Sequence, residues 1–436
     1  MKKYFIIAAA AVVAMAACSK TEVDETAVPD KKIGFEVANY ATQTKSDVLK
    51  GLTNAEDKIF SFHTLANQFP KIGTPVVFMD VDVFPWSAAG AKITSGTDVD
   101  IDKWATVEDY YWPKTGHINF YSYAGSEAPT VGNSAADKKT VTFTYTDAVI
   151  VEDSNILVAE AALHYAREDS ARETYPVDGG ESASNHVTTG VPTLFHHQLA
   201  KITVDVEART TDAKKSANTI WKVQVLSVED ESGNDYASTI VPIKKGSLAL
   251  TVDDSKEASQ SYPLTKNWTR TNESATNISG WVPSTDTETI ALSDSDVLTI
   301  PVNTTGNGTQ SEILALRSVM PQLTENVAFT LVYRVQAIHM VDDDDDATTP
   351  DVENVFLQEI RTVGVTGNGD TAKSIGDLTS TIPSWQANKK ITYHIIIDPV
   401  SEKVTFDPAV EDYDPIDADG VRDDININEN GIVPTV

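Results

Sequence analysis

The residue best suited to covalent chemistry is Cys18, the only cysteine of the chain, placed directly behind Ala14-Met15-Ala16-Ala17. Met1-Lys2-Lys3 gives a positively charged start, and Tyr4 to Ala17 is an unbroken apolar run. At about 1.5 Å per residue that run makes about 21 Å of helix, short of a hydrocarbon core of about 30 Å, so it reads as a secretory signal rather than a membrane span. Small residues just before the thiol make Cys18 the expected lipid attachment site of a lipoprotein signal peptide covering 1–17. Met15 stands where such signals usually carry Leu. The stretch Ser19 to Glu25 is polar and acidic, unlike the surroundings of a buried thiol. With one cysteine, no disulfide forms within the chain.

No second reactive constellation emerges. The sequence has no His-Glu-x-x-His, no Gly-x-Ser-x-Gly, no phosphate-binding Gly-x-x-x-x-Gly-Lys and no dinucleotide fingerprint. Of the 8 histidines only His196 and His197 adjoin. Neighbours on a strand point to opposite faces, so this pair is expected to hold no metal, one ring packing inward and one lying at the surface. With 64 carboxylates, acidic pairs are too common to single out a glycosidase-like dyad. Asp342 to Asp346 and the Asp417-Ala418-Asp419-Gly420 segment offer the oxygen ligands that calcium needs. The first lacks a Gly turn, and Pro415 occupies the first ligand position of the second, so solvated loops are the expectation for both. Tyr110-Tyr111-Trp112-Pro113 and Phe120-Tyr121-Ser122-Tyr123 could stack on sugars, but aromatics at strand spacing are expected in the core. The expectation is a protein that is not an enzyme, with no catalytic residue, no metal ligand and no cofactor.

A formal net charge of −30, more negative once Lys2 and Lys3 leave with the signal, excludes nucleic acid as a partner, because no basic stripe replaces phosphate counterions. Hydrophobic residues make up 41% of 436 residues, with 14 Tyr, 13 Phe and 7 Trp. That is ample for packing and too long for one core, so two domains are expected.

The elements that must position everything else are strands. Lys31 to Tyr40 alternates Ile33, Phe35 and Val37 with Gly34, Glu36 and Ala38, the period of a half-buried strand. Further short runs rich in Val, Ile, Phe, Tyr, Trp and Thr are expected as strands at 59–65, 76–86, 106–112, 117–124, 140–145 and 155–163. The polar run 167–190 reads as a linker or long loop. Strands resume at 193–207, 220–229, 238–243, 247–252, 297–302, 311–320, 327–340, 355–365, 390–398 and 403–406. No amphipathic helix exceeds about three turns. The division is therefore a signal at 1–17, a polar tether at 18–31, β-sandwiches at 32–190 and 191–413, and an acidic linker with a terminal strand at 414–436. In that tail Ile425 and Ile427 alternate with Asn426 and Asn428, followed by Ile432 and Val433. An apolar strand beyond a charged linker, with no partner in its own sheet, points to a partner in another molecule.

Four stretches together resemble the fimbrillins, lipoprotein precursors of type V pili in Gram-negative anaerobes, and the related surface lipoproteins. They are the start through Cys18, Tyr111 to Tyr123 (YWPKTGHINFYSY), Phe195 to Val204 (FHHQLAKITV), and Ile391 to Ile397 (ITYHIII) leading to Val404 to Pro408 and Val410 to Tyr413. Tyr413 stands where the family often has Trp. The resemblance implies an all-β protein with two transthyretin-like β-sandwich domains in tandem. It also implies a structural role: a lipidated precursor reaches the outer membrane, and a trypsin-like protease cuts it after a basic residue that follows the first strand. The strand carrying Ile33, Phe35 and Val37 then leaves, and a donor strand from another fimbrial subunit fills its place. The matching bond here is Lys45-Ser46, with Lys where the family commonly shows Arg. The donor residues are then Ile425, Ile427, Ile432 and Val433, and the mature protein belongs to a fimbrium at the cell surface, contributing to adhesion. The alternative is a monomeric surface lipoprotein, an adhesin or a tip or anchor subunit that binds a host ligand or glycan.

Overall fold

A computed structural model describes residues 31–39, 52, 59–96, 100–167, 174–177, 180–183, 185–187, 190–210, 219–227, 233–254, 268–274, 277, 279–300, 310–323, 327–341, 352–366, 384–400, 403–412, 426–428 and 431–433. The described residues are all-β, with strands and turns and no helix. Two kinds of strand follow directly from two sequence patterns. Thr140–Val149 and Lys245–Asp253 alternate apolar and polar residues, and they bury Val141, Phe143 and Tyr145 and Leu248, Leu250 and Val252 on one face only. Ile156–Ala159 and Val191–His197 are apolar or aromatic nearly throughout and are buried on both faces.

The both-face burial has a topological cause. One sheet carries the strands Asn185–Val187, Ala162–Arg167, His117–Gly125, Phe62–Phe69, Val76–Trp86, Lys103–Thr106, Phe35–Asn39, Val191–His197 and Ile156–Ala159 in that order, and the last also pairs with His117–Gly125. That extra pairing closes the run from His117–Gly125 round to Ile156–Ala159 into a ring. Inside the ring lies a core of Ile33, Phe35, Val37, Phe62, Met79, Val83, Trp104, Ile118, Phe120, Leu157 and Phe195. A second sheet, built on Thr140–Val149 and Lys245–Asp253, covers the outside. Between them pack Leu65, Tyr121, Phe143, Ile156, Val158, Leu250, Trp268 and Trp281. Gln310–Val319, Ala200–Ala208, Lys389–Asp398 and Lys403–Asp412 form a third sheet. It shares a core with the sheet of Thr239–Val241, Ala328–Val341, Thr219–Val225 and Leu298–Ile300.

Several expected boundaries move. The strand expected at 106–112 is Lys103–Thr106, because Trp104 and Thr106 turn inward there while Tyr111 makes only a single bridge to Lys32. The run 155–163 divides into Ile156–Ala159 and Ala162–Arg167, and 193–207 divides into Val191–His197 and Ala200–Ala208. The polar run 167–190, expected as a loop, supplies Asn185–Val187, which pairs in parallel with Tyr165 to Arg167 at the edge of the ring sheet. Two pairings cross the expected division at 190/191: Val191–His197 lies beside Phe35–Asn39, and Thr140–Val149 beside Lys245–Asp253.

Candidate functional site

The first strand occupies a slot in the ring. On one side it pairs in parallel with the later segment from Phe35↔Val191 to Asn39↔Phe195. On the other, among the described residues, its one ladder pair is Phe35↔Trp104, extended by the Lys32↔Tyr111 bridge, by the Ile33 N–H donating to the Tyr110 carbonyl at 2.8 Å and by the Trp112 N–H donating to the Lys31 carbonyl at 3.1 Å. A further bond runs from the Val191 N–H to the Gly34 carbonyl, 2.8 Å. Ile33 and Phe35 are each 3% exposed and Val37 is fully buried. Phe35 reaches the middle of the ring, edge-on to Phe62 at 5.5 Å and to Phe120 at 6.0 Å between centroids. Phe62 in turn meets Trp104 and Phe195. At about 1.5–3 kcal/mol for each buried side chain, Ile33, Phe35 and Val37 hold the strand with roughly 5–9 kcal/mol.

The slot's walls contain residues that sequence reasoning missed. Gly190 is one: a Cβ there would lie 3.0 Å from the Glu36 nitrogen and 3.1 Å from the Phe35 carbonyl carbon, so a larger residue at the entry to Val191–His197 would press on the first strand's backbone. Phe62, Trp104 and Phe195 are the others, and their signal was present as aromatics at strand spacing. Which of them would meet Phe35 depends on ring closure, which no local pattern announces.

The remaining site residues fall as follows. Asn426–Asn428, containing Ile427, pairs antiparallel with Gly431–Val433, containing Ile432 and Val433, and with no other described strand. Cys18, Lys45, Ser46 and Ile425, together with the aspartate run at 342–346 and the 417–420 segment, lie outside the described residues. At the exposed entry to the slot, Lys32 and Asp109 form an ion pair of 2.6 Å.

The expectation for the two adjoining histidines is corrected. His196 and His197 are both buried, at 2% exposure each. The Nε2 of His196 faces the Glu160 carboxylate at 3.3 Å, and the Nδ1 of His197 lies 2.9 Å from Asn155 Oδ1. Their strand is buried along its whole length, His196 against Glu160 and His197 against Asn155 and Asn388, so neither ring reaches the surface. The aromatic segments do enter the core at Trp112, Phe120 and Tyr121, while Tyr111 stays exposed.

No protein-family model matches the chain, and neither does any curated protein. Among solved structures the chain is similar to a fimbrial protein from Bacteroides vulgatus, at 14% identity over 88% of this chain and 99% of that one, with a TM-score of 0.39. It is also similar to the tip fimbrial protein Mfa3 from Porphyromonas gingivalis with C-terminal truncation, at 11% identity over 88% of this chain and 100% of that one, with a TM-score of 0.27.

Proposed function

We propose that the chain is a structural subunit of a surface fimbrium that polymerises by strand exchange. In this reading Cys18 carries the lipid that delivers the precursor to the outer membrane, and cleavage after Lys45 frees the segment that holds Ile33, Phe35 and Val37. The empty slot then takes Ile425, Ile427, Ile432 and Val433 from another subunit. The observation that supports it best is the first strand's place in the ring. It carries three buried apolar side chains, and on one of its two edges the ladder to Lys103–Thr106 is one residue pair long, extended by the bonds to Tyr110 and Trp112. Once freed by the cut after Lys45, such a strand leaves a groove with two unpaired edges. Such edges take a strand by main-chain hydrogen bonding, with side-chain pockets at alternate positions fixing the register.

Two forms of the protein test this. The full chain digested with trypsin under native conditions should be cut at Lys45-Ser46, release the N-terminal segment and form ladders that resist heating in detergent. The same chain lacking 425–436 should be cut equally well and stay monomeric. Ladders from the shortened chain would assign the donor elsewhere. A chain that is cut and stays monomeric at full length would favour the monomeric adhesin.

A further inference from the structure

Three side chains with metal-binding groups converge where the ring meets the sheet that covers it. His117 opens the strand His117–Gly125, His164 lies in Ala162–Arg167, and Asp254 follows directly on Lys245–Asp253. Their donor atoms all lie within 4.8 Å of one another, and the residues are 7%, 9% and 5% exposed. His164 Nε2 contacts the Asp254 carboxylate, and the two imidazoles meet edge-on at 5.0 Å.

Each member is placed by a specific local device. Gly116 takes a φ of +82°, and a Cβ there would stand 2.2 Å from the Phe69 carbonyl oxygen, so the chain passes against Phe69 and delivers the His117 ring stacked on it at 4.9 Å. Between Ile118↔Tyr165 and Phe120↔Ala162 the ladder is irregular, and within this bulge His164 has a φ of +61°, rare for a residue with a Cβ. The bulge turns the His164 side chain toward His117, and Asn119 Oδ1 accepts the His164 N–H at 2.7 Å to hold it there. Asp254 is anchored by its own N–H, which donates to the Lys139 carbonyl at 2.9 Å.

We propose that His117, His164 and Asp254 bind one divalent transition-metal cation, zinc in the first instance, which clasps the ring to its covering sheet. An Asp–His pair alone would satisfy both partners. The second imidazole, brought from a third segment to the same point, turns a pair into a chelate. Two nitrogens and one carboxylate oxygen are the donor set of a borderline ion; calcium and magnesium favour oxygen throughout. Around a zinc ion at about 2.0–2.2 Å the three donors would stand about 3.4 Å apart, a closure that small side-chain rotations supply. Three protein ligands leave the fourth position for water.

The test uses the full chain with Cys18→Ser in every sample, so that the thiol adds no ligand, stripped of metal with chelator and titrated with zinc chloride. The expected result is one retained zinc per chain and a rise of about 5–10 °C in the Tm of the ring transition when zinc reaches about 100 times its Kd. Cobalt should give the intense visible bands of a tetrahedral site. His117→Phe, which keeps the stack on Phe69, should lose both the retained zinc and the Tm response. Asp254→Asn, the variant that decides if His117→Phe does not fold, should bind zinc about 100-fold more weakly. Absence of retained zinc, a Tm response to calcium as large as that to zinc, or unchanged zinc binding in the variants would each overturn the proposal.

Discussion

The ring and the C-terminal sandwich bury comparable apolar cores, yet they are closed in different ways. The sandwich is held by long ladders: Ala328–Val341 runs against Val352–Thr366 from end to end, and Lys201 to Ala208 pairs in parallel with Lys390 to Ile397. The ring is completed by five residues of the N-terminal segment, with one ladder contact on one side. Stability is local to cooperative units. The ring's integrity thus depends on a segment with few hydrogen bonds of its own, whereas these two ladders of the sandwich run eight residue pairs or more.

The largest effect should come from removing that piece. A chain lacking residues 31–39 should lose amide protection in Lys103–Thr106 and Val191–His197 by about a thousandfold or more, while Lys389–Asp398 exchanges as before. Equal loss in both regions, read by hydrogen exchange with mass spectrometry, would mean that they form one cooperative unit. A smaller cut at the same place is Phe35→Ala, which empties the middle of the ring and should cost about 3–5 kcal/mol in the denaturant-induced transition of the ring. Smaller again is Gly190→Ala. The added methyl meets the backbone of Phe35 and Glu36, which cannot rotate away, and the expected cost is about 1–3 kcal/mol. All three should leave the sandwich transition in place.

Strands buried on one face were legible in the sequence, and strands buried on both were less so. Composition located Val76–Trp86 to the residue, and alternation the burial of Ile33, Phe35 and Val37, because both need only local information. Where strands are buried on both faces the alternation disappears. That is why 193–207 read as one strand, and why one of His196 and His197 was expected at the surface. Ring closure was invisible for a related reason. The parallel partner of Phe35 is Val191, a pairing set by the fold as a whole and marked locally only by Gly190. The convergence of His117, His164 and Asp254 was equally hidden, since it depends on a bulge and a tight glycine turn, and no motif has such spacing. Fold class was legible; the assembly of sites from distant strands was not.

Each region buries a phenol, and the two differ in their hydrogen bonding. In the sandwich, the Tyr393 hydroxyl accepts a 2.7 Å bond from the Trp385 indole N–H, so Tyr393→Phe strands a buried donor and should cost about 1–3 kcal/mol. Between the ring and its covering sheet, the Tyr145 hydroxyl is buried with no hydrogen-bond partner among the described residues, so Tyr145→Phe should be neutral or slightly stabilising. Burial pushes the Tyr393 phenol up to about 12 and raises that of Tyr145 as well, from an ordinary value of 10. A raised folded value means stability that is fully present below pH 10 and lost as pH climbs toward the folded value, because the unfolded chain ionises first. Tyr145→Phe should therefore flatten the alkaline loss of stability at the ring without changing it in the sandwich. A denaturant series at pH 8 and pH 10.5 on the two single variants separates the effects, and a destabilised Tyr145→Phe at pH 8 would show that its hydroxyl is bonded after all.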